Sequence, residues 1–214
     1  FRSSYGINHS SMVILQWGGI PFSRVGYQLH NYLGTITATD IPRILYKSSF
    51  IMFCAGCILE TIPNINDWDM SNVYSLEYAF MNSVNFNSNI GDWDTSNVAT
   101  LKGTFYNANK FNQHIGAKFV YKNGKAYVAW NTKNVIYFTS MFDMTNLTNA
   151  AYNNGDVANN SSNPLYLDFT SATNLDNMFY TCVNFNQSVA REMITITSPE
   201  NAGFLYTFTS WGMD

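Results

Sequence analysis

Apolar residues recur along the chain at a spacing typical of short amphipathic helices. Val98, Leu101, Phe105 and Ala108 lie at positions i, i+3, i+7 and i+10. Side chains three and four residues apart fall on one face of a helix. The same spacing occurs over residues 22–32, 73–83 and 172–182. The pattern therefore predicts a short α-helix in each of these segments.

Shorter segments of mixed polarity separate the predicted helices. They read "FNSNIGDW" at 86–93 and "FNQHIG" at 111–116, each with Phe and Ile four residues apart and polar residues between them. Such a pattern suits a short, half-buried strand. Asp-x-Ser-Asn precedes two of the helices, at 69–72 and 94–97, and these residue types accept hydrogen bonds from the first turn of a helix. We therefore expect short strands that alternate with capped helices.

The strand and helix pattern belongs to a longer repeat. In seven copies an apolar residue is followed twelve positions later by Phe or Leu, and the copies start at Trp17, Ile41, Trp68, Trp93, Trp130, Leu167 and Ile196. Successive starts are 24, 27, 25, 37, 37 and 29 residues apart. One strand and one short helix cannot bury their apolar faces alone, whereas stacked coils share a continuous core. The sequence predicts an α/β solenoid with one short strand and one short helix per coil of about 25 residues, in about seven coils.

The repeats define one predicted domain over residues 1–214. The two long intervals between copies hold insertions. We expect a lead-in or cap at 1–15, repeats at 16–189 with insertions at 117–129 and 149–166, and a degenerate final repeat or cap at 190–214. Because the chain begins with Phe1 rather than Met, we expect it to be part of a longer protein, with a mature or processed product as the alternative.

Stacking would place equivalent side chains of successive coils in ladders. The predicted phenylalanine ladder consists of Phe53, Phe80, Phe105, Phe142, Phe179 and Phe208. A tryptophan ladder comprises Trp68 and Trp93, and Trp130 falls at the same position. A third ladder comprises Asn87, Asn112 and Asn186. We expect their amides to pair with backbone groups at the turn after each Phe, and contact with a ligand is the alternative role.

The first insertion, "AKFVYKNGKAYVAW", predicts a β-hairpin because two alternating stretches flank Asn123-Gly124. It would project lysine and tyrosine side chains from an otherwise uncharged wall. Recognition residues often lie on loops that a rigid scaffold positions. The candidate binding residues are Tyr121, Lys122, Lys125 and Tyr127 of the hairpin, Tyr152 of the second insertion, and His114. Packing against neighbouring subunits is the alternative role for both insertions.

Composition narrows the possible function classes. The hydrophobic fraction is 46% and the charged fraction only 12%, with a formal net charge of −3. Such a chain can form a core, and its polar surface consists of amides and hydroxyls rather than ions. Nucleic-acid binding is not expected, because the sequence has no basic stripe. The longest apolar run, at 50–59, has about half the length that a bilayer-spanning helix needs, so we expect no membrane insertion by this segment.

No catalytic or metal-binding constellation emerges from the sequence. Asp67, Asp69, Asp92 and Asp94 flank two tryptophans, and we expect solvated capping carboxylates rather than a cation site, since Ca²⁺ needs six to eight oxygen ligands. The Cys-x-x-Cys at 54–57 lacks two further zinc ligands, so we expect core-filling thiols, with a local disulfide as the alternative. Hydrolase motifs are absent from the sequence. We therefore predict a non-enzymatic protein without a cofactor or metal.

Three blocks of the sequence resemble a known bacterial repeat. They read "WDMSNVYSLEYAFMNSVNFNSNIGD", "WDTSNVATLKGTFYNANKFNQHIG" and "LDFTSATNLDNMFYTCVNFNQSV". The blocks are similar to the repeat of BspA-like leucine-rich-repeat surface proteins, also known as the DUF285 or mycoplasma-lipoprotein repeat. The resemblance extends over about residues 14–189. It implies a right-handed, leucine-rich-repeat-like array on a cell or particle surface, including phage tail or fibre proteins, without catalytic activity.

Together these observations predict a non-enzymatic repeat module that is displayed outside the cell, on a cell surface or on a virion. We expect its partner to be a protein or a glycan, with exposed Tyr and Trp as rigid contacts. The alternative is a structural component of a virion, tail fibre or extracellular appendage that packs against neighbouring subunits.

Overall fold

A computed structural model describes residues 12–19, 21–147, 165 and 167–182. Two pairs of very short strands run parallel, namely β1 (Val13–Ile14) with β2 (Thr35–Ile36) and β3 (Ser48–Ser49) with β4 (Val73–Ser75). A third, antiparallel pair consists of β5 (Lys118–Lys122) and β6 (Lys125–Ala129). The single helical element of the described residues is a 3₁₀ helix at Ile65–Asp67.

The predicted α/β solenoid with one helix per coil is wrong. The described part of the chain contains no α-helix, and its strands form three separate two-stranded sheets. The segments 73–83 and 98–108, predicted as helices, are mainly tight turns, and no strand forms at 86–93 or 111–116. The leucine-rich-repeat geometry implied by the resemblance is therefore not what these residues adopt. Over the same residues, no helix has the length and apolar character to cross a bilayer.

No α-helix forms in the described turn segments because their backbone N–H groups alternate between two kinds of acceptor. The Ala79 N–H donates to the Leu76 carbonyl three residues earlier at 3.0 Å, whereas the Phe80 N–H donates to the Thr104 carbonyl of the next repeat at 2.8 Å. An α-helix instead directs each N–H to the carbonyl four residues earlier in the same segment. Every second N–H is thus used to join one repeat to the next.

Residues with positive φ make this alternation possible. Each turn segment has two of them four residues apart, such as Tyr78 and Asn82 with φ of 53° and 58°, or Gly103 and Asn107 with φ of 56° and 54°. An α-helix requires φ near −63° throughout, so a left-handed residue interrupts it. The apolar spacing of a helix is therefore retained on a backbone that turns sharply.

Successive repeats stack in register along a row of parallel bridges. Ser75 pairs with Thr100, Thr100 with Tyr137, and Tyr137 with Asn174. These pairs are separated by 25, 37 and 37 residues in the chain, so the register is kept even where an insertion intervenes.

Phenylalanine rings fill the interior of the stack. Phe80 and Phe105 have ring centroids 5.6 Å apart and nearly parallel planes, and the contacts continue from Phe105 to Phe142 at 5.7 Å and from Phe142 to Phe179 at 5.2 Å. All four rings are buried. Within a repeat, Phe111 stacks on Phe105 with centroids 3.9 Å apart. Burial of an aromatic side chain of this size is among the largest stabilising contributions that a core residue makes.

The hydrogen-bond register places Cys54, rather than Phe53, at the position equivalent to Phe80. The Phe80 N–H donates to the carbonyl of Thr104, the residue before Phe105. In the same way, the Cys54 N–H donates to the carbonyl of Ala79, the residue before Phe80, at 2.7 Å. Phe53 therefore contacts Phe80 edge to face, with centroids 5.9 Å apart and an interplanar angle of 81°. Phe208 lies outside the described residues.

Buried tryptophans bond to the preceding repeat. The Trp93 indole N–H donates to the Ile65 carbonyl, and the Trp130 indole N–H donates to the Ile90 carbonyl, both at 2.8 Å. The two indoles lie 6.3 Å apart and nearly parallel. The Trp68 indole N–H is also buried, but it has no hydrogen-bond partner within the described residues. Trp68 and Trp93 occupy equivalent positions, but only the Trp93 indole forms this hydrogen bond within the described residues.

Asparagine side chains form two sets of bonds between repeats. The Asn87 side-chain oxygen accepts the Asn112 N–H at 2.9 Å, and Asn186 lies outside the described part. A second set, which includes two asparagines of the predicted helix caps, donates to carbonyls of the preceding repeat. It consists of Asn72 to Ile44 at 2.9 Å, Asn97 to Ser71 at 2.7 Å and Asn134 to Ser96 at 2.8 Å.

Replacement of Gly103 tests the contribution of the turn geometry to stability. A Cβ at Gly103 would overlap the ring of Tyr78 in the preceding repeat and would also be strained at φ +56°. Gly103→Ala should lower the free energy of unfolding by about 2–4 kcal/mol, as expected for strain plus overpacking. Gly124→Ala is the matched control, since Gly124 has φ +76° but no atom within 4 Å of the position that a Cβ would take. Equal losses for the two variants in urea unfolding would contradict the overlap.

A pair of tryptophan variants tests the indole hydrogen bonds. Trp93→Phe removes buried ring volume and one hydrogen bond, whereas Trp68→Phe removes a similar volume and an N–H that lacks a partner among the described residues. Trp93→Phe should therefore reduce the free energy of unfolding by about 1 kcal/mol more than Trp68→Phe. Chemical denaturation of both variants measures the difference, and a larger loss for Trp68→Phe would refute the assignment.

Candidate functional site

The predicted hairpin is confirmed. β5 and β6 pair antiparallel from Lys118 opposite Ala129 to Lys122 opposite Lys125. The two turn residues, Asn123 and Gly124, have φ of 52° and 76°. Positive φ at both central residues defines the tight turn whose twist suits a two-residue hairpin, and Asn-Gly is a preferred sequence for it.

The hairpin lysines bind the acidic residues beside the tryptophans instead of projecting from the wall. Lys122 Nζ lies 2.5 Å from an Asp67 carboxylate oxygen and 3.3 Å from Asp92, and Lys118 Nζ lies 2.7 Å from Asp92. The Tyr127 hydroxyl donates to the Asp92 backbone carbonyl at 2.7 Å. The expectation that Lys122 and Tyr127 extend from an uncharged wall is thus corrected, because both side chains hold the hairpin against the repeats.

These contacts shift the pKa values of both partners. Burial acts to raise the pKa of Asp92, but hydrogen bonds from Lys118, Asn66 and Lys122 outweigh it and lower that pKa. Burial likewise acts to lower the pKa of Lys122, but its bonds to Asp67 and Asp92 raise it. Both groups are therefore held in their charged forms across the neutral range.

The remaining acidic residues serve local turns. Asp69 and Asp94 each accept a backbone N–H two residues later, from Ser71 at 3.1 Å and from Ser96 at 3.0 Å. They are turn residues rather than helix caps, because no helix follows. Lys125 lies 3.7 Å from Asp69 as well. Within residues 12–19, 21–147, 165 and 167–182, no group of three or more His, Cys, Asp or Glu side chains is close enough to hold a metal ion.

The cysteines are buried free thiols. Cys54, Cys57 and Cys182 form no disulfide with one another, and the Cys57 thiol donates to the Leu29 carbonyl at 2.7 Å. Burial raises the pKa of Cys54 well above its usual range and raises the pKa of Cys182 to about 11. All three side chains therefore contribute to the core, as expected from the sequence.

The other predicted binding residues are not brought together with the hairpin lysines into one pocket. Tyr121 is on the outer face of the hairpin and 73% exposed, next to Phe119, which is 74% exposed. His114 is half-buried in an irregular segment of the preceding repeat, and Lys125 is exposed. Tyr152 lies outside the described residues.

The structure instead reveals a groove that the sequence patterns do not predict. It has a volume of about 600 Å³ and follows the row of parallel bridges from repeat to repeat. Its lining consists of Val25, Ser49, Ile51, Tyr74, Ser75, Glu77, Ala99, Thr100, Lys102, Ile136 and Tyr137. We call this feature the bridge groove. Its residues are 24 to 37 positions apart in sequence from one repeat to the next, so only the repeat register brings them together.

Small hydroxyl residues form the floor of the bridge groove, and larger residues bound it. Ser49 and Ser75 are buried and Thr100 is half-buried, whereas Val25 and Tyr137 at the two ends of the groove are 59% and 48% exposed. Each floor hydroxyl oxygen accepts the backbone N–H two residues later, at 3.1 to 3.3 Å. The recurring Ser, Ser and Thr at intervals of 26 and 25 residues are the sequence signal that could have identified the floor.

One ion pair and two exposed aromatic residues dominate the chemistry of the bridge groove. Lys102 Nζ lies 3.7 Å from a Glu77 carboxylate oxygen, so the two charges offset each other. Tyr74 and Tyr137 present partly exposed rings, and Lys47 Nζ lies 5.3 Å from the Tyr74 ring centroid. The groove is therefore apolar and aromatic, with hydroxyl groups and no net charge among its lining residues.

The comparisons with known proteins identify the family. The family model described as "Mycoplasma protein of unknown function, DUF285" matches residues 50–165 and 128–198, which together make up more than half of the chain. The chain therefore belongs to the DUF285 family, as the resemblance indicated. The narrower BspA-like leucine-rich-repeat relationship stays a prediction. No curated protein and no solved structure matches the chain.

Removal of the Lys122 charge tests the docking of the hairpin. Lys122→Gln should lower the free energy of unfolding at pH 7 by about 1 kcal/mol, the upper range for a solvent-accessible ion pair. Lys133→Gln, at an exposed lysine outside the hairpin, is the control.

The difference between wild type and Lys122→Gln should also depend on pH. Because the folded-state pKa of Asp92 is lowered, its contribution is complete above the unfolded-state pKa of about 3.9 and is lost as the pH falls through the folded-state value. Because the folded-state pKa of Lys122 is raised, its contribution to stability is complete below the unfolded-state pKa of about 10.4. That contribution is lost only as the pH rises through the folded-state value. Denaturation at neutral and strongly acidic pH measures the gap, and a gap that persists in strong acid would rule out the ion pairs as its cause.

Proposed function

We propose that the chain is a non-enzymatic recognition module, displayed outside the cell on a cell or virion surface, that binds a protein or glycan partner in the bridge groove. The observation that carries this proposal is the open groove of about 600 Å³ with exposed tyrosine and aliphatic side chains along it. Binding sites for small partners commonly have this size and an apolar lining with a few polar groups.

The scaffold beneath the groove supports a role in recognition. The backbone groups beside the floor are bonded between repeats, for example the Leu101 N–H to the Tyr137 carbonyl at 2.9 Å. Stacked, buried phenylalanines lie behind the turns that carry these bonds. A rigid scaffold lowers the entropy that is lost on binding, and tyrosine supplies a large contact area with few rotatable bonds.

The lining also supports a non-catalytic role. Among the described residues of the groove there is no histidine or cysteine, and its three floor hydroxyls have backbone N–H partners. The Lys102 and Glu77 side chains form an ion pair, with Nζ 3.7 Å from a carboxylate oxygen. The one carboxylate of the described lining, Glu77, is thus paired with a cation, and this lining has no imidazole to activate a hydroxyl nucleophile.

The hairpin favours a second candidate, a structural subunit of a virion, fibre or appendage. Phe119 pairs across the strands with Val128, and Tyr121 pairs with Ala126, so four apolar or aromatic side chains share the outer face. Phe119, Tyr121 and Val128 are among the exposed large hydrophobic residues. An apolar patch of this kind on a soluble surface is typical of a protein interface.

Two measurements distinguish the candidates. We expect a monomer by light scattering and binding to arrays of purified matrix proteins or oligosaccharides, with the signal lost in Tyr137→Ala and retained in the double variant Phe119→Ser/Tyr121→Ser. A defined oligomer that the double variant dissociates, together with silent arrays, would establish the structural role and refute the recognition module.

A further inference from the structure

We propose that the ligand of the bridge groove is a short, neutral glycan. This inference rests on the proposed recognition function and specifies its ligand class. It follows from four properties of the groove, namely its length, its hydrogen-bonding groups, its charge and the state of its backbone.

The length of the groove fits a few sugar rings. The row from Val25 through Ser49, Ser75 and Thr100 to Tyr137 crosses four repeat spacings, or about 19 Å at the spacing of neighbouring strands. The groove lining covers this part of the row of bridges, from Val25 at one end to Tyr137 at the other, and both side chains are exposed. The groove therefore suits a short oligomer rather than a long polymer.

The polar and apolar groups of the groove alternate in a way that suits carbohydrate. Ser49, Ser75 and Thr100 each use an oxygen lone pair to accept a backbone N–H, and a hydroxyl has one further proton to donate. These three donors recur once per repeat along the floor. Tyr74 and Tyr137 add ring faces on which the C–H faces of a pyranose can pack.

The charge of the groove favours a neutral ligand. Lys102 is the one cation and Glu77 the one anion among the described lining residues, and they lie 3.7 Å apart. An acidic glycan would place its carboxylate or sulfate beside Glu77 as well as Lys102, and this lining offers no cluster of cations to offset that repulsion. Both side chains can instead donate or accept hydrogen bonds with sugar hydroxyls.

The backbone beside the floor disfavours an extended peptide. Recognition of a peptide by strand addition needs a sheet edge with unpaired N–H and C=O groups. Here the Phe50 N–H bonds to the Ser75 carbonyl, and the Leu76 N–H bonds to the Thr100 carbonyl, at 2.8 and 3.1 Å. The available contacts are side-chain hydroxyls and ring faces, which sugars use more fully than a peptide backbone does.

The inference is tested with the full chain on an array of neutral di- to tetrasaccharides built from glucose, galactose and N-acetylglucosamine, with sialylated and sulfated oligosaccharides alongside. Titration calorimetry then measures the affinity for the best neutral ligand. Tyr137→Ala should weaken binding about tenfold, the effect of about 1.4 kcal/mol of lost contact. Tyr180→Ala is the matched control, because Tyr180 is 50% exposed against 48% for Tyr137 and does not line the groove.

Ser75→Leu provides a second variant, which fills the floor and should abolish binding while the unfolding midpoint shows that the chain still folds. Loss of binding in Tyr121→Ala with retention in Tyr137→Ala would overturn the inference in favour of the hairpin. Exclusive binding of acidic glycans would also overturn it. Binding of a purified matrix protein at the groove with no glycan bound would overturn the glycan but keep the recognition function, whereas silence toward both classes would overturn both.

Discussion

The structure depends on one constraint, which is that every second backbone N–H of a turn segment must find a carbonyl in the adjacent repeat. A buried N–H without a partner costs about 1–3 kcal/mol, so a single repeat cannot satisfy its own backbone. The pairs from Phe80 to Thr104 and from Phe105 to Met141 illustrate how the requirement passes along the stack. The stacking of the rings follows from these hydrogen bonds, because they keep each repeat in the same register with the next and so place Phe80, Phe105 and Phe142 over one another.

Periodicity in the sequence predicts the repeats, the hairpin and many of the interior side chains, but it does not predict the backbone conformation. Side chains three and four residues apart point the same way both in a helix and in this series of turns. The distinguishing signal is the pair of residues with positive φ, for which Gly and Asn are suited, as at Gly103 and Asn107. The register of the second repeat is also ambiguous in the sequence, because Phe53 and Cys54 are adjacent apolar residues and only the hydrogen bonds decide between them.

The candidate site is less predictable than the fold. Lysines and tyrosines of the hairpin are evident in the sequence, but their partners Asp67 and Asp92 are more than 20 residues away and depend on how the hairpin folds back. The bridge groove consists of one or a few residues from each of five repeats, and none is distinctive alone. Its floor becomes visible only when the pairing of Ser75 with Thr100 fixes the register. Membership of the DUF285 family does not specify a ligand, so the ligand class is inferred from the side chains that line the groove.

The insertion between Phe105 and Phe142 has a wider consequence for how such chains diversify. These two rings are separated by 37 residues, yet their centroids are 5.7 Å apart, against 5.6 Å for Phe80 and Phe105, which are separated by 25. Twelve extra residues therefore leave the interior spacing unchanged. Insertions of this kind can be lengthened, shortened or exchanged during evolution, which alters the outer surface while the stacked repeats stay the same. Variation of the outer surface and preservation of the interior are thus uncoupled in this architecture.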